Sequence, residues 1–365
     1  MLDASPRVRI ALAVLVSCIA FAAACASPAP AAARPPVGAS PRATVADGAQ
    51  RMAEFGTCTL ESGETIAPCR IGYRTFGKLD AAKSNAVLFS TWFTGTTEKL
   101  VDGVPDKLVD TKKYYLILVD AIGDGVSSSP SNSPTQAHLR FPKFTIRDMV
   151  ATQERLVRDV LHIERLHTVM GISMGGMQAF EWAVSRPDAM AHVVSIVGTP
   201  QLASQDMLLW NAELHALEAD VTYAHGEYQG RPKIRTVQDI HTLMLMTAAQ
   251  RSSNISRSAF PAWLEQVESD TNFDWNDWHR QLEAMLAHDV AARWGGNLEE
   301  AAHRVKAKML LVVAEQDQMV NPGPAKLFAK AAHARLEVLG GPCGHLAPGC
   351  EQPALARYVR TFMEE

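Results

Sequence analysis

Residues 166–177 read L-H-T-V-M-G-I-S-M-G-G-M. Leu166 to Met170 is a short run of apolar and β-branched residues broken by one histidine, the composition of a strand buried within a sheet. From Met174 the chain reads as a helix that ends at Pro187. Between the two lies G-x-S-x-G with Ser173 at its centre. Five residues of this kind arise easily by chance, and the pattern alone is weak. Its place between a buried strand and a helix is what a nucleophile elbow requires. At such an elbow the nucleophile has a strained backbone, and Gly171 and Gly175 leave room for strand and helix to pack closely. The Ser173 hydroxyl is then expected at the carboxyl end of the sheet, beside a helix N-terminus whose dipole favours developing negative charge.

Working outward, A-V-L-F-S (Ala86 to Ser90), Y-Y-L-I-L-V-D (Tyr114 to Asp120) and A-H-V-V-S-I-V (Ala191 to Val197) are further buried strands. Thr145 to about Leu161 carries apolar residues at helical spacing, and Thr145 with Asp148 resembles a capping box. Late in the chain come the strand Lys308 to Ala314, a helix around Pro322 to Ala332, the strand L-E-V-L and a terminal helix from about Glu351. Strands alternating with helices predict a mostly parallel sheet covered on both faces. The alternation stops from about Gln201 to Ala301. That stretch reads as a helical lid, with Trp210, Trp263, Trp275 and Trp278 either lining a pocket or packing the lid's own core.

A serine hydroxyl needs a base, and the base an orienting acid. In the α/β-hydrolase fold the acid and then the histidine follow the serine along the chain, each after a late strand. A-E-Q-D-Q-M-V-N-P places Asp317 just beyond Lys308 to Ala314, with Glu315 as a competitor too close to the strand end. G-P-C-G-H-L-A-P-G-C places His345 after the last strand, downstream of the other histidines among the 12 in the chain. His167 and His192 lie in strands and read as satisfied core residues; most others read as solvated. Two preorganised donors are expected for the oxyanion. One is the backbone N–H of Met174; the other comes from the loop T-W-F-T-G-T after Ala86 to Ser90, at Phe93 or its neighbour Trp92.

The whole chain has 365 residues, enough for one large α/β domain, here assigned to 51–365 with the lid at about 201–301. Hydrophobic residues make up 47% and charged residues 20%, which excludes a disordered or fibrous class. The net charge of -4 carries no block of like sign, so no nucleic-acid partner is expected. Arg7 and Arg9 precede an apolar run from Ile10 to Ala24, which reads as an export signal over 1–26. A-A-A-C resembles a lipoprotein signal that acylates Cys25, the single membrane attachment expected. Cleavage after Ala26 and secretion is the alternative, and the run is short for an uncleaved anchor. Residues 27–50 are Ala, Pro, Ser and Gly-rich and read as a tether. Cys58, Cys69, Cys343 and Cys350 form two close pairs; nearest-neighbour disulfides suit an oxidising compartment, though four cysteines allow three connectivities. There is no C-x-x-C or H-x-x-x-H spacing, so neither metal nor cofactor is expected.

F-P-K-F-T-I-R-D-M-V-A-T-Q-E-R-L-V (141–157) and I-E-R-L-H-T-V-M-G-I-S-M-G-G-M-Q-A-F-E-W-A (163–183) resemble the homoserine O-acetyltransferase family of α/β-hydrolase-fold enzymes. The Met-Gly-Gly-Met-Gln run and the Glu181-Trp182 pair are its specific marks. By that resemblance Ser173 takes an acetyl group from acetyl-CoA and passes it to a hydroxyl, with His345 as base and Asp317 orienting it, and T-W-F-T-G is the oxyanion loop. Two departures weigh against acetylation of homoserine. Where such enzymes use a lid arginine to grip a carboxylate this chain places His215, a poor clamp beside a bidentate guanidinium. Export also separates the enzyme from acetyl-CoA. The expectation is therefore an exported hydrolase of small carboxylic esters, with O-acetyl transfer as the alternative. A catalytically dead binding protein is the third class, argued against by the intact Ser173, Asp317 and His345.

Overall fold

The computed structural model describes residues 46–270 and 272–365. The export signal at 1–26 and Cys25 lie outside the described residues, as does the tether segment through residue 45. The chain enters with strands β1 (Ala46–Asp47), β2 (Arg51–Thr59), β3 (Thr65–Gly77) and β4 (Ala86–Ser90). Helix α1 (Thr97–Val101) leads to β5 (Tyr115–Val119), α2 (Ile146–Arg155), β6 (Leu166–Ile172), α3 (Met174–Ser185) and β7 (Met190–Ile196). Six helices follow: α4 (Ser204–Ala219), α5 (Arg235–Leu245), α6 (Ala248–Asn254), α7 (Phe260–Glu268), α8 (Trp275–Leu286) and α9 (Leu298–Ala302). The sheet resumes with β8 (Lys308–Ala314), α10 (Pro322–Ala331) and β9 (Arg335–Leu339), and the chain closes with α11 (Ala347–Cys350) and α12 (Gln352–Met363).

The nine strands form one sheet in the order β1-β3-β5-β4-β6-β7-β8-β9, with β2 paired to β3. From β5 to β9 every pairing is parallel; β3 runs antiparallel to β5. Every residue of β4 and β5 is buried, which explains their unbroken apolar sequences. Alternate residues feed two cores. Leu88, Ile117, Val169, Val193 and Leu311 pack toward one face with α2, α3 and α10. Val87, Phe89, Leu116, Met170, Val194 and Val312 pack toward the other with α1 and α12. The chain leaves β4 for β5 on one side and returns to β6 on the other. The crevice at the carboxyl ends of β4 and β6 is thus a topological switch point, where open parallel sheets hold their ligands.

Several local expectations shift. Ala46 and Asp47 pair with Gly77 and Phe76 of β3, so ordered structure begins inside the stretch assigned to the tether. Backbone pairing to a free edge needs no apolar pattern and left no compositional mark. The strands around the Cys58–Cys69 disulfide run to 9 and 13 residues. Helix α2 has the capping box of Thr145 and Asp148, but its last turn, Leu156–Val160, widens into a π-helix. Among the described residues no helix is long and apolar enough to cross a membrane.

Candidate active site

Ser173 lies at the tip of the turn from β6 into α3 with φ 58° and ψ −120°, a strained conformation for a residue with a side chain, at a cost of about 1–3 kcal/mol. Its N–H donates to Ile196 O at 2.9 Å and its carbonyl accepts from Met177 N–H at 3.0 Å, so both neighbours of the turn hold it. The flanking glycines are there for space. A Cβ on Gly175 would stand 2.4 Å from Ser90 O, and one on Gly171 would stand 2.3 Å from Gly175 O.

The acid and the histidine arrive from the far end of the chain. Asp317 follows β8, and His345 sits in a single 3₁₀ turn (Gly344–Leu346) after β9. His345 Nδ1 lies 2.7 Å from Asp317 Oδ2 and His345 Nε2 lies 2.8 Å from Ser173 Oγ. With the carboxylate as acceptor, Nδ1 carries the proton and Nε2 is free to accept the serine O–H. Asp317 Oδ1 accepts the N–H groups of Met319 and Val320, both at 2.9 Å, so the carboxylate is held by three donors. Glu315, the competitor, is exposed and pairs with Lys326 at 2.5 Å. The Cys343–Cys350 disulfide closes the turn that carries His345.

The loop after β4 faces Ser173's turn, with Gly175 packed against Ser90 and Thr91. Among the described residues, the backbone N–H groups of Phe93 and Met174 have no acceptor. Thr94 is in the left-handed region (φ 61°); its N–H donates to Gln281 Oε1 at 3.1 Å and its carbonyl accepts from Lys99 Nζ at 2.9 Å. Behind the loop, Gln178 Nε2 donates to Thr91 O at 3.1 Å and shares Gln153 with Trp182, whose indole N–H donates to Gln153 Oε1 at 2.8 Å. Buried Glu181 accepts from Arg147 Nε at 2.7 Å. The Gln178, Glu181 and Trp182 marks in the sequence therefore lock α2, α3 and the loop together and do not reach the Ser173 hydroxyl.

The helical segment covers this loop. Phe93 meets Trp278, His241 and Trp210 with ring centroids at 4.8, 5.7 and 6.0 Å. His241 Nδ1 lies 3.1 Å from the fully buried Glu213. Trp210 and Trp278 thus pack on the sheet's own loop, while Trp263 is half-buried against Phe260 and under Arg251. His215 is exposed. Several histidines depart from expectation. His279 and His288 are buried, not solvated, and burial pushes His288 down to about 4 while its ring N–H donates to Thr199 O at 2.9 Å. His192 is stacked on His167 at 4.8 Å, and its Nε2 has no partner among the described residues. Gln281, Glu213 and His241 carried no sequence signal: each acts across a gap of 28 or more residues within or beyond the helical segment.

A sequence profile described as the alpha/beta hydrolase fold matches residues 93–348. The chain is 31% identical over 355 residues to homoserine O-acetyltransferase of Geotalea daltonii, covering 84% of this chain and 94% of that one. It is 30% identical over 284 residues to ethyl acetate hydrolase of Pseudomonas veronii, covering 73% and 80%. An acetylester hydrolase structure from Corynebacterium glutamicum matches with a TM-score of 0.80 at 27% identity, covering 87% and 96% of the two chains.

Proposed function

The chain belongs to the α/β-hydrolase fold family, as a divergent relative of homoserine O-acetyltransferases and acetyl esterases, and is an enzyme of ester hydrolysis or acyl transfer; from that premise we propose that it is an exported serine hydrolase of small carboxylic esters. The observation that carries the reading is the unbroken chain of hydrogen bonds from Ser173 through His345 to Asp317. Ser173 Oγ attacks the ester carbonyl while His345 Nε2 takes its proton, and Asp317 stabilises the imidazolium that results. The tetrahedral oxyanion is met by the N–H groups of Phe93 and Met174. His345 then protonates the leaving alkoxide, which departs as the alcohol and leaves the acyl group on Ser173. Water attacks in a second round with His345 again as base, releasing the acid and restoring the serine.

Water is favoured over an amino-acid hydroxyl as acceptor because His215, at the position of the family's carboxylate clamp, is neither an arginine nor turned inward. The names of the ethyl acetate and acetylester hydrolases support a small acyl group, acetyl first. Transfer from acetyl-CoA is the second reading, favoured by a similarity that spans 94% of a homoserine O-acetyltransferase. The helical segment at about 201–301 acts as the lid. Export rests on the signal at 1–26 with acylation at Cys25 and a tether beyond it, and the two disulfides are compatible with it.

The test is steady-state and single-turnover hydrolysis of p-nitrophenyl acetate, butyrate and octanoate, with and without homoserine, beside Ser173→Ala. Steady turnover in water, fastest on acetate and reduced at least ~10³-fold in the variant, is expected. A burst of acylation relieved only by an added hydroxyl acceptor would replace this reading with the transferase.

A further inference from the structure

One buried carboxylate between the helical segment and the acid loop takes no part in the steps above. Asp206 lies in the first turn of α4 and is fully buried. Its Oδ2 accepts the Ala203 N–H at 3.1 Å, which closes the start of α4, and its Oδ1 crosses to accept the Asn321 N–H at 3.0 Å. Asp317 takes the N–H groups of Met319 and Val320. Three successive amides of the acid loop are therefore held by two carboxylates, one of them the carboxylate that orients His345. A residue that only capped α4 would have no use for an amide 115 positions away.

We propose that Asp206 is a positioning residue for the triad: it pins the acid loop at Asn321 and adds a second negative charge near His345, so that docking of α4 and the basicity of the histidine are set together. This rests on the reading of Ser173, His345 and Asp317 as the triad. Burial is the main influence on Asp206 and pushes it up to about 6; the two backbone bonds and His345 pull it down, and Asp317 pushes it up. The charged groups that act on it are thus Asp317 and His345, both of the triad. The coupling is reciprocal: an ionised Asp206 favours the imidazolium, and a neutral group in its place favours the free base.

Asp206→Asn removes the charge and keeps one oxygen for the Asn321 N–H. The acid limb of kcat/KM for p-nitrophenyl acetate is expected to move down by about half to one pH unit. Asp206→Glu, which restores the charge, should return the limb toward the wild type. The low-field proton resonance of the His345–Asp317 hydrogen bond should shift its titration midpoint in the same direction, and this readout needs no turnover. Asn321→Pro tests the pinning directly: proline suits the φ of −59° there and removes the N–H. It should lower kcat several-fold, and because the lost bond helped to keep Asp206 ionised, the acid limb should move down in the same direction as in Asp206→Asn. Coincident limbs and resonance midpoints in wild type and Asp206→Asn would reduce Asp206 to a helix cap, even if kcat and Tm fell; full kcat in Asn321→Pro would remove the pinning role. If the wild type hydrolyses no ester, the proposed activity fails, while the resonance still decides whether Asp206 is coupled to His345.

Discussion

At the scale of single residues, position in the fold outweighs residue type. Three of the histidines occupy different electrostatic settings. His345 faces a carboxylate on one nitrogen and a hydroxyl on the other. His241 lies against buried Glu213, and the buried ring of His288 donates to a backbone carbonyl. The last has a consequence for stability. The folded protein keeps His288 neutral down to about 4, whereas the unfolded chain takes up a proton near ~6.5, so unfolding gains protons as the pH falls. The loss of stability starts below ~6.5 and is complete near 4. Between pH 7.5 and 4.5 this one group removes about 2–3 kcal/mol. Urea unfolding of wild type and His288→Gln at the two pH values should show a smaller pH-dependent loss in the variant by roughly that amount; equal losses would mean that the site admits a charged ring. Of the catalytic candidates, Ser173, Asp317 and His345 were legible from order along the chain, because each follows a recognisable strand. Asp206 was not, since nothing local distinguishes it from any acidic residue in a first helical turn.

At the scale of elements, the parallel strands were readable because burial on both faces leaves a continuous apolar run. The two-residue β1 and the π turn after α2 were not, since one is made by backbone pairing alone and the other by a local change of helical pitch. The element most directly tied to the proposed chemistry is the turn and short helix between Cys343 and Cys350. Its two cysteines are seven positions apart and it carries His345, with Thr247 Oγ1 donating to Pro342 O at 2.5 Å at its entrance. Without the disulfide the turn loses its covalent closure, and His345 should sample positions out of reach of Ser173 Oγ. Paired replacement of Cys343 and Cys350 by serine is expected to lower kcat several-fold with an unchanged far-UV circular dichroism spectrum. Unchanged turnover, with thiol titration confirming reduction in a parallel wild-type sample, would leave the disulfide a stabilising role only.

At the scale of the whole molecule, a switch point at the carboxyl edge of the sheet brings the loops after β4, β6, β8 and β9 together beneath a helical segment. Fractionation tests where this machinery works: the wild type should partition with the membrane and Cys25→Ser with the soluble exported fraction. Recovery of both in the soluble fraction would favour cleavage after Ala26 instead. By itself the sequence determined the parallel α/β architecture, the elbow at Ser173 and the order in which acid and histidine follow it. Strand burial, helical spacing and glycine at a tight turn are local properties written in neighbouring residues. Only the tertiary structure decided which groups meet: His345 with Ser173 across 172 positions, Thr94 with Gln281 across 187, Asp206 with Asn321 across 115, and Phe93 with the aromatic rings of α4, α5 and α8. Those encounters depend on how separate helices dock on the sheet, a matter of shape and packing with no period along the chain to announce it.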